Sequence, residues 1–310
     1  MPRVATGQTA FVTGNVYTVT DEERGLTRSQ RVLVAKLTRK LWVGIGAATI
    51  AGASITAGAA AQEAHKGHKG GQPPPAADKD AATANPAQGG EAYLTDGGPR
   101  DTRIRFYRDI ALMRGHILVG GQLIELGLWD EALPHFLHPT EELYGAMDKY
   151  IKMHGIRPFS RELQVLAQAV KAKRKGAYEQ ALKVVDQRLE GALAVARRFM
   201  TPLLGFTAKS AAEVLKVALS EYEAAIDDGR FAKPVEYQDS RGFVWQAERM
   251  IEGAAAELVK ADAEALARIR RALAELKTAW PTPMPPPAPI LEPGKVSALV
   301  SDIELHASRY

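Results

Sequence analysis

The chain contains no cysteine. That excludes disulfides, thiolate zinc sites, thiol catalysis, iron–sulfur clusters and c-type haem attachment. G-x-S-x-G, the P-loop and H-E-x-x-H are missing too, so common hydrolase, nucleotide and zinc-protease chemistries have no motif here. No stretch shows sustained period-2 alternation, which argues against a sheet protein. The formal charge of +4 hints at nucleic acid, but residues 1–61 carry all of it, with 7 Lys and Arg against 3 Asp and Glu. The remaining residues are neutral overall, and no nucleic-acid partner is expected. The basic run Lys171-Ala172-Lys173-Arg174-Lys175 reads as a solvated helix end.

What is present begins with a leader. Arg31, Lys36, Arg39 and Lys40 precede an uncharged run over 41–61 that ends in Ala59-Ala60-Ala61. A basic stretch, an apolar stretch and a small-residue exit predict a secretory signal peptide, and hence export to the periplasm. A retained membrane anchor is the alternative, since the run is long enough to span a bilayer. Residues 1–30, with Asp21, Glu22 and Glu23, fit poorly before a signal and suggest a later translation start. Residues 62–100, rich in Pro, Gly and Ala, predict a flexible, disordered linker. His65 and His68 within it read as solvated residues.

From 101 to 280 the apolar spacing is helical. Phe106, Ile110, Met113, Ile117 and Ile124 share one face, as do Leu163, Leu166 and Val170, and Leu215, Leu219, Tyr222 and Ile226. Gly127, Gly155, Gly176 and Gly229 mark the helix ends. These features predict an all-α fold, a compact bundle of six to eight helices built from helical hairpins. A Pro-rich strap and a C-terminal docking helix follow over 281–310. The first junctions resemble the turn of a tetratricopeptide unit, but their spacing does not fit that repeat. A solenoid is the alternative architecture, and a helical interaction scaffold of the cell envelope the alternative function.

The densest set of potential ligands is His116 with His135, His138, Glu141 and Glu142. Gly127 lies 11 residues from both His116 and His138. If the chain doubles back there, both imidazoles sit roughly 16 Å from the turn, on facing helices. His135 lies one turn nearer the hairpin, and Glu142 one turn beyond His138. Imidazoles and a carboxylate converging in this way suit iron or copper, with zinc as a further candidate. Core packing of His116 and helix-dipole complementation by the glutamates are the competing reading. Pro139 is expected to break the helix at His138. A second set, Glu221, Glu236, Tyr237, Asp239 and Glu248, reads either as hard oxygen ligands or as a face salt-bridged with Arg241 and Arg249.

Two segments carry a family resemblance. Ala225-Ile226-Asp227-Asp228-Gly229 through Val235-Glu236-Tyr237-Gln238-Asp239-Ser240-Arg241-Gly242-Phe243 resembles the extracytoplasmic helical region of bacterial iron permeases. Trp280-Pro281 to Pro289, then Val296-Ser297-Ala298-Leu299-Val300, resembles the end of periplasmic iron-uptake and imelysin-type helical proteins. The resemblance implies a non-enzymatic, all-α periplasmic protein that captures iron or another metal for a membrane permease or other envelope partner. One departure stands out. Imelysin-type proteins carry Gly-x-His-x-x-Glu, whereas here Gly115-His116 is followed by Val119. The ligand expectation therefore rests on the hairpin, not on that motif.

Overall fold

Helix-forming residues with apolar spacing of three and four do form helices here. The computed structural model describes residues 98–310, and the expected signal peptide and nearly all of the linker lie outside them. The helices are α1 (Thr102–Glu125), α2 (Trp129–His138), α3 (Tyr144–Met153), α4 (Ser160–Lys171), α5 (Lys175–Arg197), α6 (Leu203–Ala224), α7 (Pro234–Gly253), α8 (Ala255–Leu276) and α9 (Pro293–Ala307). A π-helical turn, Pro139–Leu143, joins α2 to α3, so those two are one bent rod. The all-α bundle read from the sequence is thus met at the upper end of its expected helix number.

The helix α1 is central. Asp101 caps its start, its side chain accepting the Arg103 N–H at 2.9 Å. Beyond the first turn nearly every residue of α1 is buried, which is the pattern of a helix with packed neighbours on all sides. Those neighbours are α2 on one flank and α6 and α7 on the other. Farther out, α4 packs on α2 and α5, while α9 packs on α6 and α8.

The turn after α1 explains how the chain reverses. Leu128 N–H reaches back to Leu123 C=O and Gly127 N–H to Ile124 C=O, both at 2.9 Å. Gly127 takes φ +79°, the left-handed conformation this cap requires. Two other junctions differ from the sequence reading. Gly176 lies inside α5, and Lys173 takes the left-handed position instead, with Arg174 N–H bonded to Ala169 C=O at 3.1 Å. At the third junction, Asp228 and Gly229 both have positive φ and close a tight hairpin between Ile226–Asp227 and Arg230–Phe231. That is the Asp-Gly turn favoured between two short antiparallel strands.

The Pro-rich strap is fastened to α6 and α7 by side chains. Tyr222 Oη donates to Leu291 C=O at 2.7 Å, and Tyr237 Oη to Thr282 C=O at 2.9 Å. The buried Arg241 guanidinium donates to Trp280 C=O and stacks on Trp245. Val296, Leu299, Val300 and Ile303 bury one face of α9.

Candidate metal centre

His116 reaches its place through a close helix crossing. A Cβ built on Gly242 of α7 would lie 2.3 Å from the carbonyl oxygen of Gly115 on α1. Only glycine permits this approach. His116 follows Gly115 directly, and Asp239 lies one helical turn before Gly242. The crossing therefore brings a histidine and an aspartate that are 123 residues apart in sequence into contact. A second close approach seats α2. A Cβ on Gly120 would lie 2.6 Å from the Phe136 ring and 3.2 Å from Cβ of His135.

Asp239 is the hub. Its Oδ1 lies 2.6 Å from Nδ1 of His116 and 2.6 Å from Nδ1 of His135. Its Oδ2 lies 3.1 Å from Nδ1 of His138. One donor atom from each of these four residues lies within 4.8 Å of the other three. An ion with bonds of roughly 2.0–2.2 Å to nitrogen and oxygen gathers such a set with small side-chain shifts.

The surroundings orient the rings. Phe243 meets His116 edge-on, with centroids 4.8 Å apart. Nε2 of His135 lies 2.9 Å from Oε1 of Gln238, whose amide nitrogen is 3.4 Å from the Met284 thioether of the strap. The thioether accepts but does not donate, so the amide oxygen is the atom left facing His135. His135 thus meets an oxygen acceptor at each ring nitrogen, while a neutral imidazole has only one N–H. The 2.6 Å separation from Asp239 is that of a short hydrogen bond. A ligating histidine commonly donates its other N–H to a carbonyl in this way.

Electrostatics separates the members. Burial, reinforced by the neighbouring imidazoles, holds His116 below the usual histidine range despite Asp239. Burial pulls His138 the same way, but the hydrogen bond and charge of Asp239, with Glu142 and Glu221, outweigh it and raise His138 to about 9. For Asp239, burial favours the neutral acid, but the surrounding imidazoles and their hydrogen bonds hold the carboxyl well below its usual range. Asp239 and His138 are therefore both charged at neutral pH. His116 serves as a neutral hydrogen-bond donor.

The structure brings together His116, His135 and His138 from the sequence-predicted set and adds Asp239, which the sequence reading had placed in the separate carboxylate group. Glu142 lies at the rim, with Oε1 3.6 Å from Nε2 of His138. Glu141 is exposed and makes no hydrogen bond or ion pair among the described residues. From the carboxylate group, Glu248 is held by Lys277 at 2.8 Å, and the Tyr237 hydroxyl is spent on the strap. Pro139 does not swing His138 away. The π-turn carries the chain on, with Tyr144 N–H bonded to Pro139 C=O, so His138 keeps helical geometry. A π-turn inside a helix frequently marks a functional site.

The four C-terminal helices α6 to α9, with the strap between α8 and α9, form a contiguous unit that supplies Asp239. Residues 203–309 match the iron permease-associated 4-helix bundle domain. The match runs from the first residue of α6 past the end of α9, and it includes both segments that carried the resemblance. This stretch is therefore similar to the helical bundle associated with iron permeases. The three histidines lie outside the iron permease-associated bundle, on α1 and α2, so the donor cluster joins it to the helices before it. No curated protein and no solved structure matches the chain. Among the described residues, no helix is long and apolar enough to cross a membrane.

Proposed function

We propose that this protein binds one divalent first-row transition-metal ion through Nδ1 of His116, His135 and His138 and the carboxylate of Asp239. In this reading it is a non-enzymatic protein of the periplasm that handles iron or copper and passes it to a membrane permease. The observation that carries the reading is three imidazole nitrogens directed at one desolvated carboxylate. The match to the iron permease-associated bundle supports the uptake setting. Three nitrogens and one oxygen suit iron(II), copper(II) or zinc(II), whereas iron(III) prefers harder oxygen donors. The alternative, an interaction scaffold, would call for an apolar groove. A cavity of about 810 Å³ between the N-terminal helices and α6 to α8 is instead lined by Arg114, Arg197, Arg249 and Asp186 as well as apolar side chains.

Calorimetric titration of the purified protein tests this. One ion per chain is expected, with affinity falling from copper(II) to zinc(II) to anaerobic iron(II), the order that nitrogen-rich sites impose. Affinity is expected to rise with pH toward 9, because the ion displaces the proton that His138 holds to about 9. No saturable uptake of any of the three, or uptake unchanged in a His116→Ala, His138→Ala double variant, rejects the proposal.

A further inference from the structure

The four inner donors differ sharply in their access to solvent. The side chains of His116, His135 and Asp239 are 4%, 0% and 5% exposed, whereas His138 is 20% and its neighbour Glu142 24% exposed. The ring of His138 is also two-sided. Its Nδ1 belongs to the buried cluster, 3.1 Å from Asp239 Oδ2, and its Nε2 faces outward, 3.6 Å from Glu142 Oε1.

We propose that His138 and Glu142 form the entry position for the buried site, with Glu142 a capture residue that meets the cation first and is not one of its final ligands. This rests on the reading that the inner cluster holds a metal ion. The path into that cluster runs along His138, because the other donors are enclosed by α1, α2 and α7. Glu142 is carried on the π-turn directly after His138, so the first carboxylate and the first imidazole an ion meets are one turn apart on the same rod. Two further half-buried carboxylates add to the negative mouth. Glu221 acts on His138 through its charge, and Glu236 feels both His138 and Asp239, with Lys233 as the opposing cation. Carboxylates hold a hydrated divalent ion loosely and release it readily. Three imidazoles then replace its water in the dry interior. A charged mouth of this kind raises association rates by roughly 10- to 1000-fold, and added salt reduces the gain.

Stopped-flow mixing of the full chain with copper(II), read by quenching of tryptophan fluorescence, tests the route. In Glu142→Gln, association is expected to slow by about 10-fold or more. Dissociation should slow in parallel, because a lost entry position impedes both directions. Stoichiometry and the visible absorption of the bound copper should stay as in the parent. An unchanged association rate overturns the route. So does faster dissociation with a shifted copper spectrum, which would make Glu142 a ligand. A parent protein that takes up no copper fails at the earlier step and refutes the inner site itself, so the two failures are distinguishable.

Discussion

Replacing Asp239 with alanine is expected to abolish ion binding while the helices still fold. Each of the three imidazoles spends its inward nitrogen on this one carboxylate, so the substitution removes a charged donor and the shared reference that holds the rings together. Loss of an orienting partner alone costs roughly 10–100-fold in metal affinity. Loss of the hub should exceed that and leave no saturable uptake. The ion-free fold should suffer less than after a typical broken buried ion pair, because a histidine can shed its proton and remain as a neutral side chain. Asp239→Asn, close in shape, should bind as poorly and unfold more like the parent. Thermal unfolding with and without zinc(II) reads both effects. At a concentration 100 times Kd the parent gains about 2.7 kcal/mol, and neither variant should gain anything. A variant whose melting temperature still rises with zinc would remove Asp239 from the site.

The same residue gives a pH signature in the ion-free protein. The folded state raises His138 from 6.5 to about 9. Its stabilisation is therefore complete below 6.5 and is lost as pH climbs toward 9. Asp239 is shifted downward, so its contribution is present above the ordinary carboxylate range and disappears in acid as pH falls through the depressed folded value. Without the carboxylate, Asp239→Asn should lack the acid slope and the larger part of the alkaline one, Glu142 and Glu221 alone remaining to raise His138. Urea unfolding midpoints across pH would show a flatter profile for the variant than for the parent.

Sequence and structure agree best where the information is local. Helix faces repeat every three to four residues, and Gly127 with its neighbours specifies its own turn. The reversal at Gly127 was enough to bring His116 toward His135 and His138. Asp239 was hidden for a different reason. It lies 101 to 123 residues from the histidines it joins, and nothing local to it reports their approach. The available signal was a pair of glycines, Gly115 beside His116 and Gly242 beyond Asp239, each without the side chain that would keep two helices apart. A proline before an acidic pair reads as a break, and what the sequence does not show is how the chain continues past it. The α-helix does end at His138, but a π-turn carries the chain directly on into the next helix instead of into a loop. At Lys173 the backbone takes a left-handed lysine, although Gly176, three residues on, is the residue that sequence favours for that conformation.

That glycine pair makes the second large prediction. A Cβ at residue 242 would lie 2.3 Å from the Gly115 carbonyl oxygen and 2.9 Å from its carbon, and backbone atoms have no rotamer to yield. Gly242→Ala must therefore drive α1 and α7 apart, at a cost of about 1–3 kcal/mol or more for an overpacked contact. Gly242→Val should be worse. The separation has a chemical consequence, because the 2.6 Å contact between His116 and Asp239 sits within one turn of the wedge. Stability and metal affinity should fall together, although residue 242 carries no donor atom. Gly191→Ala supplies the contrast. It lies within α5, and a Cβ there meets nothing within 4 Å. It should stabilise by about 0.5–1 kcal/mol, as alanine generally does over glycine in a helix, and leave zinc binding untouched. Chemical denaturation and zinc titration of the two alanine variants side by side decide the matter. If Gly242→Ala kept the stability and affinity of Gly191→Ala, the helix crossing would not be what assembles the four donors.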